Sequence, residues 1–393
     1  AQGSAMTRLS FSGGGSSGMP TTDMLETEPV AEDDDDENVI EAIEPESHSD
    51  KNTSRAIHIA ADNDSPYIKS ILLSCPDSTR FLYDNPAAPR TGDVAIHLAA
   101  RKGNMNALHA ILGSDKDCVL IKNDAGDSAL HCAIKKGHFA AVQAICSRAP
   151  DSAKVQGEEG NLPLHDALSD AAHFQDSPQI VAVVLAAYPE AAGMTSDEGL
   201  LPIHYAAMSG SASGIRTIFA YRFDTLHERE NTEGMNALDF ALDGWSGACM
   251  GKPCEEDEMD IEGGTESLLS VAWRHNPDHN KKSYNKGQFK ECVEILLMST
   301  LCNRPILSPL DESDGIPKFA PLHGAVVATP PTRTWKKLLC IYGPDYGKSL
   351  DDLGHTPMHT LLLTPKPMET PHIMTFIQDL FDTNPDCLLQ RDR

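Results

Sequence analysis

The sequence has little of three features that mark particular classes of protein. Aromatic residues make up 6 % of its 393 residues. Its longest uninterrupted apolar run, Ile180 to Tyr188, is far shorter than the ~20 residues that span a bilayer. Basic residues are scarce, because 32 Lys and Arg stand against 58 Asp and Glu, a formal net charge of −26. A chain this acidic repels phosphate, so we expect neither nucleic acid nor a membrane as its partner.

Cysteine spacing and the first residues bear on the cellular compartment. The ten Cys lack the short regular spacing of a disulfide framework. The sequence does not open with the charged and then apolar stretch of a signal peptide. We therefore predict reduced thiols and a cytoplasmic or nuclear location.

Residues 1–54 are expected to stay unfolded. A Gly/Ser stretch at Gly13–Gly18 precedes an unbroken acidic run at Glu32–Glu37, and the segment holds 13 acidic residues against two basic ones. Because it has little apolar surface to bury, the conformational entropy lost on ordering would not be recovered. We predict a disordered Gly/Ser-rich and acidic tail, which either solvates the protein or masks and recruits a basic surface.

From residue 55 onward, a six-residue phrase of small and apolar residues around a central His returns along the chain. Successive central residues are separated by 39, 34, 34, 39, 35, 84 and 36 positions. A period near 34 is typical of a stacked array of supersecondary units. These central residues, here called anchors, are His58, His97, His131, His165, His204, Asp239, His323 and His359.

Each unit has the same internal order of turn, short helix and second amphipathic helix. A Gly five residues before most anchors indicates a turn with positive φ, and a Gly six residues after three anchors indicates the end of the first helix. A Pro-acid pair is expected to stop the second helix, because Pro cannot continue it. The turn glycines are Gly92, Gly126, Gly160, Gly199, Gly234 and Gly354, and the helix-ending ones are Gly103, Gly137 and Gly210. The Pro-acid pairs are Pro76-Asp77, Pro150-Asp151, Pro189-Glu190, Pro344-Asp345 and Pro385-Asp386.

This phrase resembles the ankyrin repeat, whose unit carries Thr-Pro-Leu-His followed by Ala-Ala. The resemblance covers about residues 55–393 in seven to eight variant units. It implies an all-α repeat solenoid of stacked helix-turn-helix units with short β-hairpin loops, in which the anchor His ties neighbouring turns together by hydrogen bonds. The predicted organisation is a tail over 1–54, the array over 55–242, an acidic insertion within one repeat over 243–287, and the array again over 288–393.

The insertion contains a pattern that could bind a metal. Four residues separate Cys249 from Cys254, three separate His275 from His279, and twenty lie between the two pairs. Two thiolates and two imidazoles could form a tetrahedral zinc site. The preferred interpretation is a flexible acidic loop, because Glu255–Asp260 is a solvated-looking run. No metal and no cofactor are therefore predicted.

In the ankyrin family, partner contacts come from residues just before the helix-ending Gly and from those around the turn Gly. The matching helix-end positions are Arg101, Lys102, Lys135, Lys136, Met208 and Ser209. The matching hairpin-tip positions are Asp93, Asp124, Asp127, Glu158, Glu159, Asn161, Asp197, Glu198 and Leu200. The four cations occupy equivalent places in consecutive units. They form either an ordinary solvated face or a basic patch for an acidic peptide or the chain's own tail.

The sequence shows no nucleophile elbow, no dinucleotide-binding fingerprint and no pair of catalytic carboxylates with a plausible cleft. We therefore predict that the chain is not an enzyme but an adaptor that binds partner proteins through the concave face of its array. Two alternatives stay open. One is a regulatory or targeting region of a larger enzyme whose catalytic domain lies outside this chain, and the other is a zinc-stabilised module.

Overall fold

The protein is built from α-helices that follow one another in pairs. The computed structural model describes residues 43, 44, 46–83, 91–169, 177–228, 234–250, 286–307, 320–328, 330, 332–351, 353–363 and 373–385. Within these ranges the backbone forms sixteen α-helices and two isolated β-bridges. The helices are α1 His48–Asp62, α2 Ile68–Ser74, α3 Ala95–Lys102, α4 Met105–Ser114, α5 Ala129–Lys135, α6 Phe139–Arg148, α7 Pro163–Ser169, α8 Ser177–Ala187, α9 Pro202–Met208, α10 Ala212–Tyr221, α11 Ala237–Met250, α12 Lys286–Cys302, α13 Pro321–Ala328, α14 Thr332–Tyr346, α15 Pro357–Leu363 and α16 Ile373–Thr383.

The helix pairs stack into the all-α solenoid that the repeat predicts. The first helices α1, α3, α5, α7, α9 and α11 pack on one another in succession, and each second helix packs on the first helix of its own pair. Small residues such as Ala99 and Ala133 are fully buried between the helices, where they permit close approach. The predicted fold class is confirmed. No helix in the described ranges is both long and apolar enough to cross a membrane.

The anchor histidines hold neighbouring units together, as the resemblance implies. In five units the ring Nδ1 accepts a hydrogen bond, 2.9–3.2 Å long, from the backbone N–H three residues earlier. The ring Nε2 of six anchors lies 2.9–3.3 Å from a backbone carbonyl oxygen of the next unit. For example, His131 Nε2 donates to Asn161 O at 3.3 Å. The rings of His97, His131, His165 and His204 therefore cap their own helices with one nitrogen and bond the next turn with the other.

The nine predicted glycines all have positive φ, between +63° and +82°. Gly92 is also in close contact with the next tip, since a Cβ at this position would lie 2.6 Å from Asp124 N. A side chain there would be strained by its backbone conformation and would also collide with a backbone atom.

Substitution of Gly92 is therefore expected to weaken the array. We expect Gly92→Ala to lower the free energy of unfolding by ~1–3 kcal/mol, because it adds backbone strain and a clash. The control is Gly113→Ala in α4, where the nearest atom to a new Cβ is 3.9 Å away. This change should stabilise by ~0.5–1 kcal/mol, as Gly to Ala does in a helix. Urea unfolding of both variants measures the difference, and equal values would contradict the close contact between tips.

The array begins earlier than predicted. Helix α1 starts at His48, where Ser47 Oγ accepts from Asp50 N at 3.1 Å and Ser47 N donates to the Asp50 carboxylate at 3.2 Å. This capping box satisfies two N–H groups that would otherwise be left without a partner. The predicted boundary at residue 55 is thus corrected by seven residues. Residues 1–42 of the predicted tail lie outside the described residues.

Two helix ends also differ from the prediction. Helix α11 continues to Met250, so the predicted insertion boundary at residue 243 falls inside a helix. Helix α14 runs through Pro344 to Tyr346, so this Pro does not stop it. Near a C-terminus, a Pro removes only one helical hydrogen bond, and Gly347 N still donates to Gly343 O at 3.0 Å. The remaining residues of the insertion, 251–285, lie outside the described residues.

The stacking changes between the sixth and seventh pairs. Helix α13 packs on α12, where a Cβ on Gly324 would lie 2.5 Å from Leu297 O, while α14 contacts α11. Asp239, the anchor that replaces His, accepts from Thr334 Oγ1 of α14 at 2.6 Å. An ionised carboxylate can only accept hydrogen bonds, whereas a His ring can also donate one. The partner of Asp239 is therefore a hydroxyl donor, while the His anchors of other units bond a carbonyl oxygen. The predicted continuation over 288–393 therefore has the expected helices but a different junction at its start.

Candidate protein-binding face

The predicted contact residues lie at the ends of the first helices and at the turns between units, a surface called here the inner face. Lys102, Lys136, Asp124 and Asp197 are exposed. A second group is partly exposed: Arg101, Lys135, Glu159, Asn161, Glu198 and Met208. Glu158 lies in the short turn Glu158–Gly160. These residues therefore lie at equivalent places in successive pairs.

Four of the predicted contact residues are buried and are corrected here. Asp93 and Leu200 are 1 % exposed, Ser209 is 5 % exposed and Asp127 is 9 % exposed. Leu200 belongs to the apolar core, and Ser209 Oγ donates to Ala206 O at 3.2 Å. The two Asp side chains are occupied by ion pairs within the array. None of the four is available as a surface contact.

Asp93 and Arg101 form a bidentate ion pair on the inner face. Arg101 Nη1 lies 2.9 Å from Asp93 Oδ2 and Nη2 lies 2.8 Å from Oδ1, while Asn123 and Thr91 also donate to this carboxylate. Burial alone would raise the pKa of Asp93, but these hydrogen bonds outweigh it and hold the pKa below its usual range. The pair therefore connects the end of α3 to the turn that precedes this helix.

Lys135 occupies the equivalent place in the next unit but contacts two carboxylates. Its Nζ lies 2.6 Å from Asp127 Oδ1 and 3.6 Å from Asp166 Oδ2 of the following unit. Burial raises the pKa of Asp166 to about 7, against the lowering effect of Lys135, and nearby Asp127 and Glu159 raise it further. One cation thus faces two buried acids, so this junction holds a surplus negative charge when both are ionised.

Of the two interpretations left open for the four cations, the basic patch is contradicted by these contacts. Arg101 and Lys135 are paired as described, and Lys102 Nζ lies 2.6 Å from Asp62 Oδ1. Lys136 is exposed at the end of α5. Because three of the four charges are offset by carboxylates of the array, they do not add up to a basic field. The premise for an acidic peptide or tail on this patch is therefore lost.

The sequence analysis did not identify Asp62 and Asp166 as partners of the cations. For the other two ion pairs, those of Asp93 and Asp127, the sequence did contain a signal. In two consecutive units an acid stands four residues before the anchor and a base four residues after it: Asp93 and Arg101, then Asp127 and Lys135. A spacing of eight is not a helical contact distance. In the structure these side chains nevertheless meet, with Arg101 Nη2 2.8 Å from Asp93 Oδ1 and Lys135 Nζ 2.6 Å from Asp127 Oδ1.

The described residues do not bring together three His, Cys, Asp or Glu side chains in a way that could hold a metal. Cys249 lies near the end of α11. The other three members of the metal candidate, Cys254, His275 and His279, lie outside the described residues. The zinc site therefore stays a prediction.

Comparison with known proteins identifies the repeat. Residues 96–171 match a family model described as ankyrin repeats, in three copies. A search of curated proteins finds no match to the sequence. The matched region spans α3 to α7, and helix pairs with the same anchor bonds continue on both sides of it. Residues 96–171 of the chain are therefore ankyrin repeats.

Proposed function

We propose that the chain is a non-catalytic adaptor that binds partner proteins through its inner face. Ankyrin repeats are in general protein–protein interaction modules. One comparison between the units of this chain carries the proposal. The position three residues after the anchor is 0–1 % exposed in the first seven units, whereas the position one residue further varies among acidic, basic, hydroxyl and thioether side chains. In the first six units these further residues are Asp62, Arg101, Lys135, Ser169, Met208 and Asp243.

This pattern separates a constant frame from a variable surface. Buried anchors and their apolar neighbours fix the spacing of the units, so the side chains at the helix ends are presented at regular steps. The ion pairs of Arg101 with Asp93 and of Lys135 with Asp127 keep that surface ordered before a partner binds. A preorganised surface loses less conformational entropy on binding. Binding is therefore expected to need little backbone rearrangement.

The proposal is tested by comparing two surfaces of the same chain in affinity capture. Lys136→Glu with Met208→Glu changes the inner face, and Gln143→Glu with Ser147→Glu adds charge to the exposed side of α6. Thermal midpoints establish that both variants are folded. We expect proteins that the wild type retains to be lost from the inner-face variant and kept by the α6 variant. Equal recovery on both variants would contradict binding through the inner face.

The alternative of a regulatory or targeting region within a larger enzyme stays a prediction. It uses the same inner face, because such a region would also act by binding a protein. Recovering the coding sequence on either side of these 393 residues would separate the two.

A further inference from the structure

Asp166 carries a charge at a position that is uncharged in the other units. The position directly after the anchor lies near the end of the preceding first helix: Arg101 Nη2 is 3.9 Å from Cys132 Sγ, and one unit later Lys135 Nζ is 3.6 Å from Asp166 Oδ2. Burial raises the pKa of Cys132 to about 11, so the fourth unit places a carboxylate where the third unit places a neutral thiol. The residues at this position in the other units are Ile59, Leu98, Cys132, Tyr205, Phe240, Gly324 and Thr360.

The Asp166 carboxylate is buried without a hydrogen bond. The residue is 8 % exposed, and in the part of the chain that the structure describes its side chain accepts no hydrogen bond. Its ion pair with Lys135, at 3.6 Å, is longer than a hydrogen bond. Asp93, by contrast, accepts two bonds from Arg101, and Asp127 accepts one from Lys135 at 2.6 Å. A buried acceptor without a donor is costly and rare, and the described part of the array supplies no donor to Asp166.

Asp243, four residues after its anchor, shows how a carboxylate of the array is satisfied by another element. Lys337 Nζ of α14 lies 2.6 Å from Asp243 Oδ1, and Arg333 Nη2 lies 4.0 Å from Asp243 Oδ2. Helix α14 belongs to the next helix pair, so both cations reach Asp243 from outside its own unit. Basic side chains of a separate helix therefore bind an acid at one of the variable positions of this chain.

We propose that Asp166 receives an arginine side chain of the partner protein, and that the partner is therefore basic where it contacts the inner face. This inference rests on the proposed function, because it places the contact on the inner face. The charge of Lys135 is already balanced by Asp127 at 2.6 Å, which leaves the negative charge of Asp166 for an incoming cation. The side chain of Lys135 is 36 % exposed, so the junction opens to the surface. A guanidinium on its long side chain can reach Asp166 and donate two parallel hydrogen bonds to the carboxylate.

A carboxylate that lowers the stability of the free protein is typical of a binding site. Burial raises the pKa of Asp166 to about 7, so its ionised form is a cost to the folded array. Side chains that reduce stability in this way are found where a protein binds or reacts. A bound guanidinium would offset the cost, because it brings the positive charge and the donors that the junction lacks.

The test is a titration of the full chain with a pentapeptide that holds one Arg among Gly and Ser residues, followed by NMR at pH 8, where Asp166 is ionised. We expect saturable shifts at the amides of Asp166 and Lys135, and none with the same peptide carrying citrulline, the neutral analogue of Arg. Asp166→Asn should weaken binding at least about tenfold. The matched control is Glu190→Gln, which removes one charge at an exposed position after α8 and should change the constant by less than about twofold. Thermal midpoints establish that both variants are folded.

Several outcomes would overturn the inference. Absence of shifts at these two amides, or equal binding of the citrulline peptide, would show that Asp166 does not receive a guanidinium. Equal weakening by Asp166→Asn and Glu190→Gln would show only a general attraction between a basic peptide and an acidic chain. A peptide with Lys in place of Arg that binds as tightly would contradict the assignment to arginine.

Failure of this inference is distinguishable from failure of the proposed function. Partner proteins that are lost from the inner-face variant but retained by Asp166→Asn would contradict only the arginine contact. Binding of the arginine peptide at Asp166, together with equal capture by the inner-face and α6 variants, would contradict only the proposed function.

Discussion

Asp166→Asn is expected to stabilise the array by about 4 kcal/mol at pH 8, which is the shift of its pKa converted to free energy. In the folded state the pKa of Asp166 is about 7, raised from 3.8 mainly by burial. Between these two values the folded chain binds more protons than the unfolded chain, so the free energy of unfolding falls as pH rises from about 4 to about 7. Above that range the full cost of the ionised carboxylate is present. The amide removes this cost and leaves Lys135 paired with Asp127.

The matched control is the same change at Asp93, a second buried acid of the inner face. Asp93 is 1 % exposed and its pKa is lowered, because Arg101, Asn123 and Thr91 donate to it. Asp93→Asn should therefore destabilise at pH 8, opposite in sign to Asp166→Asn. Urea unfolding at pH 8 and at pH 5 measures both, and the advantage of Asp166→Asn should shrink at the lower pH. If both variants destabilise equally at pH 8, the surplus charge at the Lys135 junction is not a cost.

Acidification from pH 8 to pH 5 is expected to destabilise the Asp166→Asn chain by at least about 4 kcal/mol. Burial lowers the pKa of His131 and of His165 to about 4, from 6.5. A group with a lowered pKa in the folded state keeps its full stability above the unfolded pKa and loses it as pH falls toward the folded pKa. Each of the two histidines is therefore expected to lower the free energy of unfolding by about 2 kcal/mol when the pH falls to 5. The Asp166→Asn background is used because ionised Asp166 titrates in the opposite direction.

A proton on these rings would also break a bond, since Nδ1 of each accepts from the backbone at the start of its helix. The control compares two histidines in this background. His165→Asn should remove about 2 kcal/mol of the acid sensitivity, while His109→Asn on the exposed side of α4 should leave it unchanged. Unfolding free energies at the two pH values provide the readout. An acid sensitivity that persists in full after His165→Asn would rule out this histidine as its source.

Local features of the fold could be predicted from the sequence because they depend on a few neighbouring residues. The glycines before and after the anchors have the positive φ that their positions indicate. Six anchor histidines make the expected bond to a backbone carbonyl of the next unit, as His131 does to Asn161. The pairing of helices could also be predicted, because the repeat pattern that indicates it is local. Each unit contains within about 34 residues all that is needed for its own turn and helices.

The charge balance of the inner face was decided by the tertiary structure. The sequence left open whether Arg101, Lys102 and Lys135 form a basic patch, but each is paired with a carboxylate that the fold brings beside it. Asp166 comes from the following unit, so its contact with Lys135 depends on how two units stack. The junction at Asp239 was decided in the same way, because its partner Thr334 lies 95 residues further along the chain. Sequence determined each unit through short-range bonds, and only the packing of one unit on another determined which side chains of the surface are free.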